Sequence, residues 1–118
     1  MSSDINTKPQ TEAEPETIED YLREGWSLHV QGEHARAERN FREAFSMEPL
    51  SVEASYGLGL SLKLQGQKQE ALQVFQRTID LINSGKMNEH PRRATMLRHL
   101  STWHIRTISS GVHKEPEP

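Results

Sequence analysis

Six histidines, seventeen carboxylates and a group of arginines are the side chains in this sequence that could do chemistry. Metal binding is the first use to weigh. His29 and His34 are five residues apart across an expected helix end, and His99 and His104 are five apart on one expected helix. Two ligands on one helical face need a spacing of three or four. No HExxH occurs, and no carboxylate accompanies His99 or His104. Neither a metal nor a cofactor is expected. Acid–base catalysis needs carboxylates, or a histidine and an aspartate, converging in a cleft. Here Glu38, Glu43 and Glu70 are interleaved with Arg39, Arg42 and Lys68, the pattern of a solvated helix face. The glycines are spaced for turns and packing, not as a phosphate-cradling loop. No catalytic residue is expected, and the chain reads as a non-enzyme.

Charge leaves two other uses open. The chain has 118 residues and a net charge of −3, yet the charge is unevenly spread. Residues 1–33 hold eight acids against Lys8 and Arg23, whereas residues 86–106 hold five bases against Glu89. Arg92, Arg93, Arg98 and Arg106 beside Trp103 could follow a phosphate backbone, although a small cluster on a slightly acidic chain disfavours nucleic acid. The same bases could instead meet the acidic end of a neighbouring copy, so a homodimer or head-to-tail association is an alternative. Without cysteine there is no disulfide, thiolate or cysteine-ligated zinc. MSSDINTKPQ lacks a basic n-region and an apolar h-region, and no apolar run reaches the ~20 residues of a membrane span. A cytoplasmic protein without a membrane contact is expected.

The elements that would position these side chains are helices. Thr17, with Asp20 three residues on, caps a first helix expected to run to about Gln31. Gly32 and Glu33 make a turn, and a second helix follows over 34–47. Pro49 stops it and Ser51 caps a third over 52–65. Gly66 leads to a fourth over 68–82, closed by Asn83, Ser84 and Gly85. Pro91 opens a fifth that reaches about Ser109. Residues 1–16 and 111–118 are polar and proline-bearing, and are expected to be disordered tails around a 17–110 helical domain. Gly25, Leu28, Gly32, Ala37 and Phe41 return 34 residues later as Gly59, Leu62, Gly66, Ala71 and Phe75. Such a period marks stacked helical hairpins. Glycine within a helix costs about 1 kcal/mol relative to alanine, so its repetition at one phase implies close backbone approach.

This pattern resembles the tetratricopeptide repeat, with units 18–51 and 52–85. Tyr21, Gly25, Gly32, Ala37, Phe41, Ala44 and Pro49 match the family's positions in the first unit, and Gly59, Gly66, Ala71 and Phe75 in the second. Ser55, Thr78 and Asn83 depart from it, which makes the second unit the looser one. The resemblance implies an all-α, right-handed superhelical stack of two hairpins with a fifth, capping helix. It implies a non-catalytic module that binds a protein or peptide partner, as an adaptor or co-chaperone. In each hairpin the first helix (A) lines the concave side. Carried onto this chain, the groove consists of Leu22, Trp26, His29 and Val30 with Tyr56, Leu60, Lys63 and Leu64, edged by Glu19 and Glu53. The lysine and asparagine with which some relatives clamp a chaperone's C-terminal carboxylate are absent at these places. On the fifth helix, Met96, Leu100 and Trp103 form one apolar line and Ala94, Leu97, Ile105 and Ile108 a second. One line suffices to cover the fourth helix. The other is left for a wide core face, a dimer seam or a ligand-contacting edge, and the fifth helix or a second copy could itself fill the groove.

Overall fold

The computed structural model describes residues 14–87 and 89–111. The expected tails over 1–13 and 112–118 lie outside the described residues, while 14–16 lead without helix into the first element. Five α-helices follow: α1 (Ile18–Val30), α2 (His34–Met47), α3 (Val52–Leu64), α4 (Lys68–Ser84) and α5 (Pro91–Ser110). No strand occurs among the described residues, and none of their helices is long and apolar enough to cross a membrane.

Local chemistry explains each boundary. At α1 the Thr17 hydroxyl accepts from the Asp20 N–H at 3.1 Å while the Asp20 carboxylate accepts from the Thr17 N–H at 3.2 Å, a complete capping box. A further bond from the Glu16 N–H, then Arg23, holds the Asp20 carboxyl down at about 2. Ser51 caps α3 through the Ala54 N–H, and His90 Nδ1 caps α5 through the Arg92 N–H. Both hairpin turns use one device. Gly32 and Gly66 take φ of 82° and 80°, and the next residue donates back across the helix end, Glu33 to Leu28 and Gln67 to Leu62, each at 2.9 Å. A side chain at such φ would be strained, so the turn needs glycine. The first and third helices end one residue earlier than expected. The fourth runs on to Ser84 before left-handed Gly85, because Asn83 stands where Pro49 stops α2.

The hairpins pack by the same contact twice. Phe41 and Phe75 are fully buried. A Cβ at Gly25 would lie 2.8 Å from the Phe41 ring, and one at Gly59 would lie 2.8 Å from the Phe75 ring. Both glycines therefore hold a phenylalanine directly against helix backbone. Helix α3 touches α1, α2, α4 and α5, and its small and apolar residues are buried nearly all round. The second hairpin is consequently the better enclosed of the two, although its sequence follows the repeat pattern less closely. Two of its three departures compensate each other. The buried hydroxyls of Ser55 and Thr78 bond at 2.6 Å where Tyr21 and Ala44 stand in the first unit. Since Thr78 gives its hydrogen to the Val74 carbonyl, Ser55 is the donor.

Candidate protein-binding surface

Trp26 joins α1 to α3 on the A-helix side. Its indole N–H donates to Glu53 Oε2 at 2.7 Å, and its ring meets Phe41 at a centroid distance of 4.8 Å. Leu22, Trp26 and Leu60 are half-buried and pack on the core, forming a floor. Val30 and Leu64, one repeat apart, are 84% and 45% exposed. His29 lies edge-on to Trp26 at 5.7 Å and beside His34 at 5.6 Å. Its burial, then the neighbouring His34, lowers its pKa.

Two expected lining residues are taken by α5. Tyr56 is only 7% exposed, and its hydroxyl bonds His104 Nε2 at 3.1 Å. Lys63 reaches His104 Nδ1 at 2.9 Å and lies 4.6 Å from the Trp103 ring centre. An ammonium only donates, so Nδ1 accepts and the Nε2 hydrogen points to the Tyr56 oxygen. One tautomer satisfies both neighbours. Burial first, and the facing Lys63 second, push the His104 pKa down to about 4. The imidazole also stacks on Phe75, centroids 4.7 Å apart and 13° from parallel. His104 is thus a neutral structural ring, a role that its spacing from His99 does not reveal. It was legible in one way: His104 and Ser101 fall on the helical arc of Ala94, Leu97 and Ile108, which faces the core.

The other apolar line of α5 remains outside. Arg93 pairs with Glu53 at 3.3 Å near the start of α3, and Trp103 meets Lys63 ten residues further along both helices. Met96 and Leu100 lie between these two ties along α5 and are 52% and 38% exposed. Four of the six exposed large hydrophobics among the described residues (Val30, Leu64, Met96, Leu100) belong to α1, α3 and α5. The base-rich helix spends much of its charge internally. Arg93 also meets Glu89 at 3.8 Å, and Arg98 donates to Asn83 Oδ1 at 3.2 Å. No group of three or more metal-ligating side chains occurs among the described residues.

At one end the floor opens into a cavity of ≈ 230 Å³ bordered by the first turns of α1 and α3 and by the chain leading into α5. Leu22 belongs to both the floor and the cavity wall. Glu19, Glu48, Glu53 and Glu89 surround it.

The two like hairpins, each with a glycine backed onto a phenylalanine ring, define a helical-repeat protein. A tetratricopeptide repeat family model matches residues 22–85, more than half of the chain, and the protein belongs to that family. Repeats of this family generally mediate protein–protein interactions and are typically non-catalytic. No curated protein and no solved structure matches the chain.

Proposed function

We propose that the protein is a non-catalytic adaptor that holds a peptide or helix of a partner protein on the concave side of α1, α3 and α5. The observation that carries this is that exposed Val30, Leu64, Met96 and Leu100 lie on the same three helices as the half-buried Leu22, Trp26 and Leu60. Contiguous apolar surface on one face of a small domain is uncommon unless something covers it, and tryptophan is a favoured anchor. The fifth helix takes up Tyr56 and Lys63 but leaves these side chains exposed, so it builds a wall of the groove and does not fill it. Cytoplasmic residence fits this reading.

Selection of random displayed peptides on the full chain tests the proposal. Binders should be lost on Leu64→Asp and Leu100→Asp, with helicity and melting temperature unchanged, because both side chains are already exposed. Tyr56→Ala serves as a different control and should weaken the fold itself. If no peptide is enriched, or if binding ignores both aspartates, the groove is not a binding surface.

A further inference from the structure

The carboxylate-ringed cavity narrows what the groove can hold, on the reading that the groove binds a partner segment. Four glutamates surround it, and one guanidinium, that of Arg93, reaches two of them. Helix N-termini favour acids in the first turn, which accounts for Glu19 and Glu53. It does not account for Glu48, which sits at the C-cap of α2, or for Glu89, which precedes α5. The polar partners of these carboxylates are otherwise single neutral donors. Glu53 takes the Trp26 indole, Glu48 the Leu50 N–H and Glu89 the His90 N–H. Glu19 makes no ion pair among the described residues and is exposed. Among the described residues three negative charges are thus left in excess at a concave mouth, where field lines concentrate and counter-charge is drawn in.

The cavity and the apolar floor are one surface. Leu22 lines both, and Trp26 covers the floor with its ring while its N–H holds Glu53 at the cavity edge. We propose that the groove's occupant is a basic amphipathic segment of a partner protein. Its apolar side chains lie on Leu22, Trp26, Leu60 and Leu100, and a lysine or arginine at its end enters the cavity among Glu19, Glu48 and Glu89. Charge-assisted hydrogen bonds to these carboxylates give this end its specificity, Glu48 and Glu89 being already held by backbone N–H groups. The apolar floor alone would accept any hydrophobic segment; the cavity selects the basic ones and repels acidic ones.

The test uses the strongest peptide from the selection on the full chain, with its basic residue replaced in turn by glutamine and glutamate. Binding is read by fluorescence anisotropy at two ionic strengths. The expected consensus carries lysine or arginine next to two or more apolar residues. Affinity should fall about tenfold with glutamine and further with glutamate. Glu19→Lys should weaken the parent peptide and partly restore the glutamate version, and added salt should flatten these differences. Binders without a basic residue, or indifference to Glu19→Lys, would overturn the cationic assignment while leaving the groove reading intact. Absence of any binder, or binding that survives Leu64→Asp and Leu100→Asp, would overturn both. Concentration-dependent association in sedimentation that Glu19→Lys abolishes would assign the cavity to a second copy of this chain, and so also overturn the proposal.

Discussion

Phe41 and Phe75 are the same plug in two different sockets. Phe41 is gripped by backbone on both sides: a Cβ at Gly25 would stand 2.8 Å from its ring, and one at Gly57 of the next hairpin only 2.4 Å. Phe75 has the backbone of Gly59 on one side and the imidazole of His104 on the other. The first junction joins a hairpin to a hairpin, the second a hairpin to its cap. A repeat-to-repeat junction brings two helices so close that no side chain fits between the second and the phenylalanine. At the capping junction a flat polar ring of α5, His104, lies against the phenylalanine in place of backbone, and it needs Tyr56 and Lys63 as hydrogen-bond partners.

The largest effects should come from emptying the sockets. Phe41→Ala should destabilise by about 3–5 kcal/mol, toward the upper end because both facing walls are backbone and cannot fill the void. Phe75→Ala should lie toward the lower end, since His104 can turn into the space. Chemical denaturation of both variants decides it, and equal losses would mean that the sockets are equivalent. Gly57→Ala sharpens the contrast. Alone it should cost about 1–3 kcal/mol through overpacking, whereas in a Phe41→Ala background the same change should be neutral or stabilising, helped by the better helix propensity of alanine.

Next in size is a pH dependence that belongs to the second socket alone. The His104 pKa is depressed from 6.5 in the unfolded chain to about 4 in the fold, so the unfolded chain binds the extra proton between those values. Its contribution is present in full above pH 6.5 and is lost as pH falls toward 4, about 3 kcal/mol in all. Below pH 4 this group adds nothing more. His104→Phe keeps the stack on Phe75 but cannot titrate. Its unfolding free energy should therefore change less than wild type over that window, measured by urea denaturation at half-unit steps. Parallel curves for the two proteins would show that His104 is not held neutral.

These differences also mark what could be read in advance. The 34-residue period located both hairpins because Gly25 with Phe41, and Gly59 with Phe75, are contacts inside a unit and recur with it. Gly57 belongs to a contact between units. Its counterpart one period earlier is Arg23, an exposed residue of α1, so no repetition advertises it. Ser55 and Thr78 each looked like a departure from the repeat, and only their proximity shows that one hydroxyl answers the other. The arc of Ala94, Leu97 and Ile108 marks the place of His104 as core-facing, but a polar ring there carries no hydrophobic signal of its own. On the candidate surface, Trp26 and Leu60 were legible as A-helix positions. The acidic cavity was not, because Glu48 and Glu89 come from segments outside the A helices.

The Ser55–Thr78 pair should give the next smaller effect. Thr78→Val leaves the buried Ser55 hydroxyl without its acceptor and should cost about 1–3 kcal/mol. Ser55→Ala should cost about 1 kcal/mol, because Thr78 keeps its bond to the Val74 carbonyl. Combined, the two should cost less than their sum, since neither stranded hydroxyl remains. A double-mutant cycle measures this coupling, and simple additivity would mean that the hydroxyls do not depend on each other.

The smallest effect concerns the side of the junctions away from the groove, where they differ again. Arg42 of α2 bonds Glu38 on its own helix at 2.7 Å and Glu70 on α4 at 2.6 Å, bridging the two hairpins. One period on, the place of Arg42 is held by Gln76, whose amide bonds Asp80 within the same helix, and no such bridge to α5 is made. Arg42 and Glu70 are more than a third exposed, so water competes for both charges. Glu70→Gln should therefore cost less than about 1 kcal/mol and should fade in high salt. Glu38→Gln should cost more than Glu70→Gln, because the Glu38 carboxylate also accepts from Gln65 at the end of α3. Thermal melts at low and high ionic strength separate the two. If Glu70→Gln proved the costlier change, the bridge between hairpins, and not the seating of Gln65, would be the stronger tie on this side.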